Sequence, residues 1–239
     1  MADDSAAAAP AANKPSDLPK RALSALAMLA VAGGALWLGG RVLAGFIWLV
    51  ALVGFGEFVL LVLKATPKPG WRIASVLAGA AYFGIAAYVM AGLDSYYLLA
   101  ALGVVIFTDT GAYFVGRAIG GPKIAPKISP SKTWAGLFGG MAFAALWLGL
   151  VAGAFFYTAG YSTWSELIDI AWDDVLGAAL VGALLAVVAQ AGDFFQSWLK
   201  RRAGVKDSSK LIPGHGGVFD RIDGMLAVAL LVGFLSGFG

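Results

Sequence analysis

Asp193, Ser197, Lys200 and Arg201 recur at i, i+4, i+7 and i+8, so a helix through them carries all four on one side. Lys206 and Asp207 follow, then Pro213-Gly214-His215-Gly216-Gly217, then Asp220-Arg221-Ile222-Asp223. Carboxylates at this density suit a hard cation such as Mg²⁺, which takes oxygen ligands and is commonly shared with phosphate oxygens. The Lys and Arg side chains among them suit phosphate itself. Glycines let a backbone approach a ligand closely, and the N–H groups opening the next helix attract an anion. Each feature also has a plainer reading when taken singly. Asp193 could be neutralised by a neighbouring Lys or Arg, Asp220 and Asp223 could favour a helix N-terminus, and His215 could cap a turn. Their concentration in one stretch of an otherwise apolar chain favours the handling of something charged.

A second polar block comes earlier, with Lys123, Lys127, Ser129, Pro130, Ser131, Lys132 and Thr133. Upstream of it Asp109, Thr110 and Gly111 stand inside an apolar run, with Arg117 on the same helical side as Asp109. Topology alone could place such basic residues, and anionic head groups attract them. Glu57, also inside an apolar run, is positioned to pair with a Lys or Arg or to join the site. Asp94 belongs to a short polar turn and is expected to be solvated.

The elements that must hold these groups are membrane helices. Hydrophobic residues make up 60% of the 239, and charged ones 13%, about half the charged share of an ordinary soluble domain. Hydropathy divides the chain into about seven spans of roughly 20 residues. They fall at 21–40, 42–63, 71–92, 95–117, 134–156, 174–199 and 217–238. The expected fold is an all-α, polytopic transmembrane bundle with its N-terminus in the cytoplasm. Residues 1–20 are expected to form a disordered cytoplasmic tail and residues 21–239 one transmembrane catalytic domain. With seven spans, every Lys and Arg except Arg41 lies on the inner side, while the 157–173 connection, carrying Glu166, Asp169 and Asp173, lies outside. The absence of cysteine excludes disulfides and thiolate chemistry, and a single histidine excludes a multi-His zinc site.

In order and spacing, Ser197-x-x-Lys200-Arg201, Lys206-Asp207, Pro213 to Gly217 and Asp220-Arg221-x-Asp223 resemble the signature of phosphatidate cytidylyltransferases, also called CDP-diacylglycerol synthases. Ile128-Ser129-Pro130-Ser131-Lys132-Thr133-Trp134 and Asp109 to Tyr113, leading to Gly116-Arg117, resemble another recurrent stretch of that family. The resemblance covers residues 105–135 and 190–224. It implies an integral membrane enzyme that joins CTP to phosphatidic acid, giving CDP-diacylglycerol and pyrophosphate. It also implies Mg²⁺, with room for a second ion such as K⁺. Carried over by position, Asp193, Asp220 and Asp223 would be metal ligands, with Asp193 and Asp220 leading. Lys200, Arg201, Lys206, His215 and Arg221 would hold phosphates. The binding set would add Asp109, Lys123, Ser129, Lys132, Thr133, Ser197, Asp207, Gly216 and Gly217. Two positions depart from the pattern: Gln196 stands where the family often has Glu, and Gly224 where many members have Ser.

The chemistry is coherent without the resemblance. A phosphate monoester already presents an anionic oxygen, so the obstacle is bringing polyanions together while pyrophosphate leaves; metal ions and basic clamps meet it. One substrate is a lipid and the other water-soluble. The site therefore needs access from the cytoplasm and from the inner leaflet, as expected of a protein of the bacterial inner membrane. Membrane lipids are expected partners, a homodimer is compatible with the family, and nucleic acid is not expected. Two rival readings are a CTP-dependent lipid kinase, which would release CDP, and a cation-coupled transporter, which would need no such block of charge at one face.

Overall fold

The computed structural model describes residues 18–158 and 172–235. Seven helices run through them: α1 (Leu18–Leu38), α2 (Gly40–Ala65), α3 (Pro69–Gly92), α4 (Ser95–Ile119), α5 (Trp134–Thr158), α6 (Trp172–Arg202) and α7 (Phe219–Leu235). Six are long and apolar enough to cross a membrane; α7 as described has 17 residues. The chain is an integral membrane protein, and the helices coincide with the expected spans to within a few residues. Two differences concern the ends. Helix α1 begins at Leu18, inside the stretch expected to be tail, and α7 begins at Phe219. Most of the tail, most of the 157–173 connection and the last positions of the seventh span lie outside the described residues.

The connection after α4 is a small antiparallel hairpin, β1 (Lys123–Ala125) and β2 (Ser129–Thr133), with Lys123 opposite Thr133 and Ala125 opposite Ser129. Nothing in its composition announces strands, since prolines and lysines dominate it. Its turn is tied to the end of α6, where Arg201 Nε donates to the Ile128 carbonyl at 3.2 Å.

Ends are satisfied locally. The Asp94 carboxylate accepts from the Tyr96 and Tyr97 amides at 2.9 and 3.2 Å and caps α4, so it is a capping group in a turn. Arg72 reaches back to the last carbonyls of α2, donating to Thr66 O and Leu63 O at 2.8 and 2.9 Å. A basic group suits that negative end.

Two apolar clusters hold the bundle. One gathers Phe58, Leu61, Phe83, Leu199 and Phe219 from α2, α3, α6 and α7; the other gathers Val104, Ala144, Leu185, Ala189 and Val228 from α4 to α7. Small residues set the closest approaches, as expected where lipid supplies no hydrophobic drive between helices. A Cβ on Gly192 of α6 would stand 2.5 Å from the Asp223 carbonyl of α7, and one on Gly139 of α5 would overlap Val115 of α4. Gly139→Val is therefore expected to push α4 and α5 apart at a cost of about 1–3 kcal/mol. A lower melting temperature in detergent would register it, whereas Gly153→Ala, facing open space, is the control that should not.

Helix α6 has 31 residues, about 46 Å at ~1.5 Å per residue, against a hydrocarbon core of ~30 Å. One end must emerge. The end carrying Lys200, Arg201 and Arg202 is charged, and it meets the hairpin and the start of α7.

Candidate active site

Two carboxylates pin the segment between α6 and α7. Asp220, in the first turn of α7, is buried, and both of its oxygens are engaged. Oδ1 accepts from Gln196 Nε2 and Lys200 Nζ, each at 2.7 Å; Oδ2 accepts from the Ser208 amide at 2.8 Å and from the Gly217 amide at 2.9 Å. Glu57 on α2 is 5% exposed. It accepts from the Ser209 hydroxyl at 2.6 Å and from the Val218 and Phe219 amides at 3.1 and 2.8 Å. The Ser208 hydroxyl, 2.8 Å from both Glu57 Oε2 and Asp220 Oδ2, has a single hydrogen to place between the two carboxylates. A side chain at Gly217 would overlap the Ser208 hydroxyl and the Glu57 carboxylate, which explains that glycine.

This geometry corrects one expectation. The amides opening α7, offered from sequence to a bound phosphate, are already taken: Gly217 by Asp220, Val218 and Phe219 by Glu57. The protein's own carboxylates fill the anion site that the helix N-terminus provides. Of the two roles the sequence offered Glu57, the structure shows no Lys or Arg partner for it among the described residues and places it instead on the loop that opens α7. An acidic residue in an apolar span was the available signal; its partners, backbone amides 161 and 162 residues away, had none.

A different set of carboxylates faces a more open region. Asp109 on α4, Asp193 on α6 and Asp223 on α7 lie near enough to act on one another's charge, with Lys132, Lys200 and Arg221 also within electrostatic reach of the group. Asp193 forms an ion pair with Lys132 of the hairpin, whose ammonium also lies 4.9 Å from the Phe194 ring centroid. The Ser197 hydroxyl lies 3.4 Å from Asp193 Oδ1. Asp109 and Asp223 form no ion pair among the described residues, where the pairs are Lys132–Asp193 and Lys200–Asp220. The three carboxylates read as metal ligands thus divide: Asp193 and Asp223 belong with Asp109, while Asp220 belongs with the donors of the loop. No group of three His, Cys, Asp or Glu is gathered as a ready-made metal cage among the described residues.

The remaining positions sort by surroundings. Thr133 is buried and turned to its own chain, accepting from the Gly136 amide at 3.0 Å at the start of α5. Lys123 reaches the Ser131 carbonyl at 3.5 Å, and Ser129 is half-buried in β2. Lys206, Asp207, Arg201 and Arg221 are exposed. Gly216 turns the chain at φ +83°, closing a loop in which the Ile212 amide donates to the Gly216 carbonyl at 2.8 Å. Gln196, fully buried, donates to Asp220; a glutamate there would add a second negative charge beside it.

A cavity of about 890 Å³ lies between α2, α3 and α6, lined by Phe58, Val62, Trp71, Tyr82, Phe195 and Trp198, with Lys68 and Arg202 at its polar end. It occupies the side of α6 away from Asp193 and Lys200, as their helical positions require.

The profile of the cytidylyltransferase family matches residues 58–238. This chain belongs to the cytidylyltransferase family. The match takes in α3 to α7 and the last eight residues of α2, and therefore every acidic and basic group of this site except Glu57, one position before it. Among curated proteins, the chain is 46% identical over 129 residues to a phosphatidate cytidylyltransferase of Brucella melitensis, covering 54% of this chain and 42% of that one. It is 39% identical over 194 residues to the Pseudomonas aeruginosa protein of the same name, covering 77% and 66%. It is 41% identical over 119 residues to the Haemophilus influenzae one, covering 50% and 38%. The chain thus spans less than half the length of the Brucella and Haemophilus relatives that it matches. The site of this cytidylyltransferase-family member is not built from helices alone, because Lys132, the partner of Asp193, comes from a β-hairpin.

Proposed function

We propose that this protein transfers the cytidylyl group of CTP to phosphatidic acid, forming CDP-diacylglycerol and pyrophosphate at the cytoplasmic face of a bacterial inner membrane. The observation that carries the reading is that Asp109, Asp193 and Asp223, from three helices, lie within electrostatic reach of one another, with Lys132 paired to Asp193 and Arg221 within reach of Asp109. Relatives named phosphatidate cytidylyltransferase support it. A phosphatidate oxygen would bond to the α-phosphorus of CTP as the bridge to the β-phosphorus breaks, and the electron pair would leave with pyrophosphate.

Two unpaired carboxylates near a third ask for a cation, and carboxylate oxygens suit Mg²⁺. Asp193 and Asp223 are the residues best suited to hold it, with Asp109 beside them. An ion at Asp220 would have to displace Lys200 or Gln196 from Oδ1. When bound, Mg²⁺ would neutralise phosphate charge and stabilise the leaving group. Lys132 and Arg221 would orient phosphate oxygens, and the exposed Arg201 and Lys206 would draw the nucleotide in from solvent.

The test is incubation of the purified protein, in detergent or lipid, with each nucleoside triphosphate in turn plus phosphatidic acid, identifying both products. Pyrophosphate and CDP-diacylglycerol are expected from CTP alone, and a chelator should abolish both. Release of CDP would identify a kinase instead, and no product with any triphosphate would refute the reading.

A further inference from the structure

Helix α1 lies outside the residues matched by the family, which begin at 58, yet it touches the loop that contains the only histidine. The Ser24 hydroxyl lies 2.8 Å from the Pro213 carbonyl, 2.8 Å from His215 Nδ1 and 3.0 Å from the Arg21 carbonyl. Arg21 lies over Gly214, where φ is +76° and a Cβ would meet its Cγ at 2.6 Å. One turn of α1 is therefore fitted against Pro213, Gly214 and His215.

The hydrogens follow from counting. A serine hydroxyl has one hydrogen and can also accept. Two of its three neighbours, the Pro213 and Arg21 carbonyls, can only accept. If the hydroxyl hydrogen pointed at an unprotonated Nδ1, both carbonyl oxygens would face serine lone pairs at hydrogen-bonding distance. If Nδ1 carries a hydrogen, it donates to Ser24 Oγ, and the hydroxyl donates to a carbonyl. The second arrangement leaves one carbonyl facing a serine lone pair, where the first leaves two, so it is the better satisfied of the two.

We infer that Ser24 is a positioning residue that fixes His215 as its Nδ1–H tautomer and leaves Nε2 as the atom presented to substrate. The other ring nitrogen sets what a histidine can do. Held this way, Nε2 accepts from a protonated phosphate oxygen or, once the ring is charged, donates to an ionised one. The charged residues around this loop include Arg21 over Gly214, Asp207 and Asp220 beside Gly216, and Glu57 beside Gly217. The ligand named here rests on the functional reading above; the tautomer does not.

Because the chain has one histidine, ¹⁵N-histidine labelling gives a single imidazole whose two nitrogen shifts report the tautomer directly. The spectrum would be followed to alkaline pH, until the signals stop moving. The unsubstituted protein should show Nδ1 protonated. Ser24→Ala should lose that preference and raise the KM for CTP about tenfold, the size one hydrogen bond supports, with a smaller change in kcat. Ser24→Thr, which keeps the hydroxyl, should restore both. A protonated Nε2 in the unsubstituted protein overturns the inference. So does a Ser24→Ala ring that keeps its tautomer, or one that changes with no change in KM. Absence of CTP-dependent product from the unsubstituted protein would refute the functional reading instead, and the nitrogen shifts alone would then decide the tautomer.

Discussion

Asp193→Asn is expected to lower CTP-dependent product formation by about 10²–10³-fold, the scale on which one preorganised charged or polar group acts at a reaction centre. The protein should remain folded. Asp193 and Lys132 retain 30% and 21% side-chain exposure, so water can solvate the lysine once its partner is neutral, and an exposed pair contributes little to stability. The loss should therefore appear in kcat with an unchanged melting temperature and elution volume in detergent. Lys132→Ala should instead raise the KM of a phosphate substrate more than it lowers kcat. Full activity in Asp193→Asn would remove that residue from the chemistry and leave the carboxylate group without its centre.

Asp220→Asn should fail differently, because its damage begins with folding. The Asp220 side chain is 3% exposed and that of Lys200 16%. An asparagine oxygen could still accept from Ser208 and Gly217. Its amide hydrogens would then face Lys200 and Gln196, two donors with nothing to receive them. Breaking a buried pair from one side costs about 3–5 kcal/mol, because the remaining charge is left uncompensated. The expected result is a lower melting temperature, faster proteolysis between residues 203 and 218, and turnover that falls with the structure. Asp220→Asn combined with Lys200→Met should recover part of the stability without recovering turnover. A melting temperature unchanged in the single variant, with activity gone, would instead make Asp220 a direct participant in the reaction.

These contrasting outcomes mark what could be read in advance. Apolar runs and their polar breaks located the helices, because a span must bury about 20 residues whatever it packs against. Asp193, Lys200 and Asp220 were visible as charges that a membrane protein does not keep without cause. Their partners were not. Asp193 meets a lysine 61 residues earlier, and Asp220 is satisfied largely by groups of the loop itself. Ser24 and Glu57 act on the same loop from helices distant in sequence, through bonds to backbone groups that every residue carries. Periodicity reports which face of a helix is apolar; it does not report which neighbour fills a given lone pair. The hairpin was missed for a related reason, since its strands are held by two ladder positions and not by β-forming side chains.

The length of α6 has a consequence for the lipid around it. Asp193 lies nine residues before Arg202, about 14 Å along the axis at ~1.5 Å per residue, so its level depends on where the bilayer surface meets the helix. Hydrophobic mismatch costs fractions of a kcal/mol per Å and is relieved by tilt or local thinning. A thicker membrane would draw the carboxylates toward hydrocarbon, and a thinner one would lift them into the head-group zone. Bilayer thickness thereby becomes a physical control on how readily a soluble nucleotide and a membrane-bound phosphate meet at this helix.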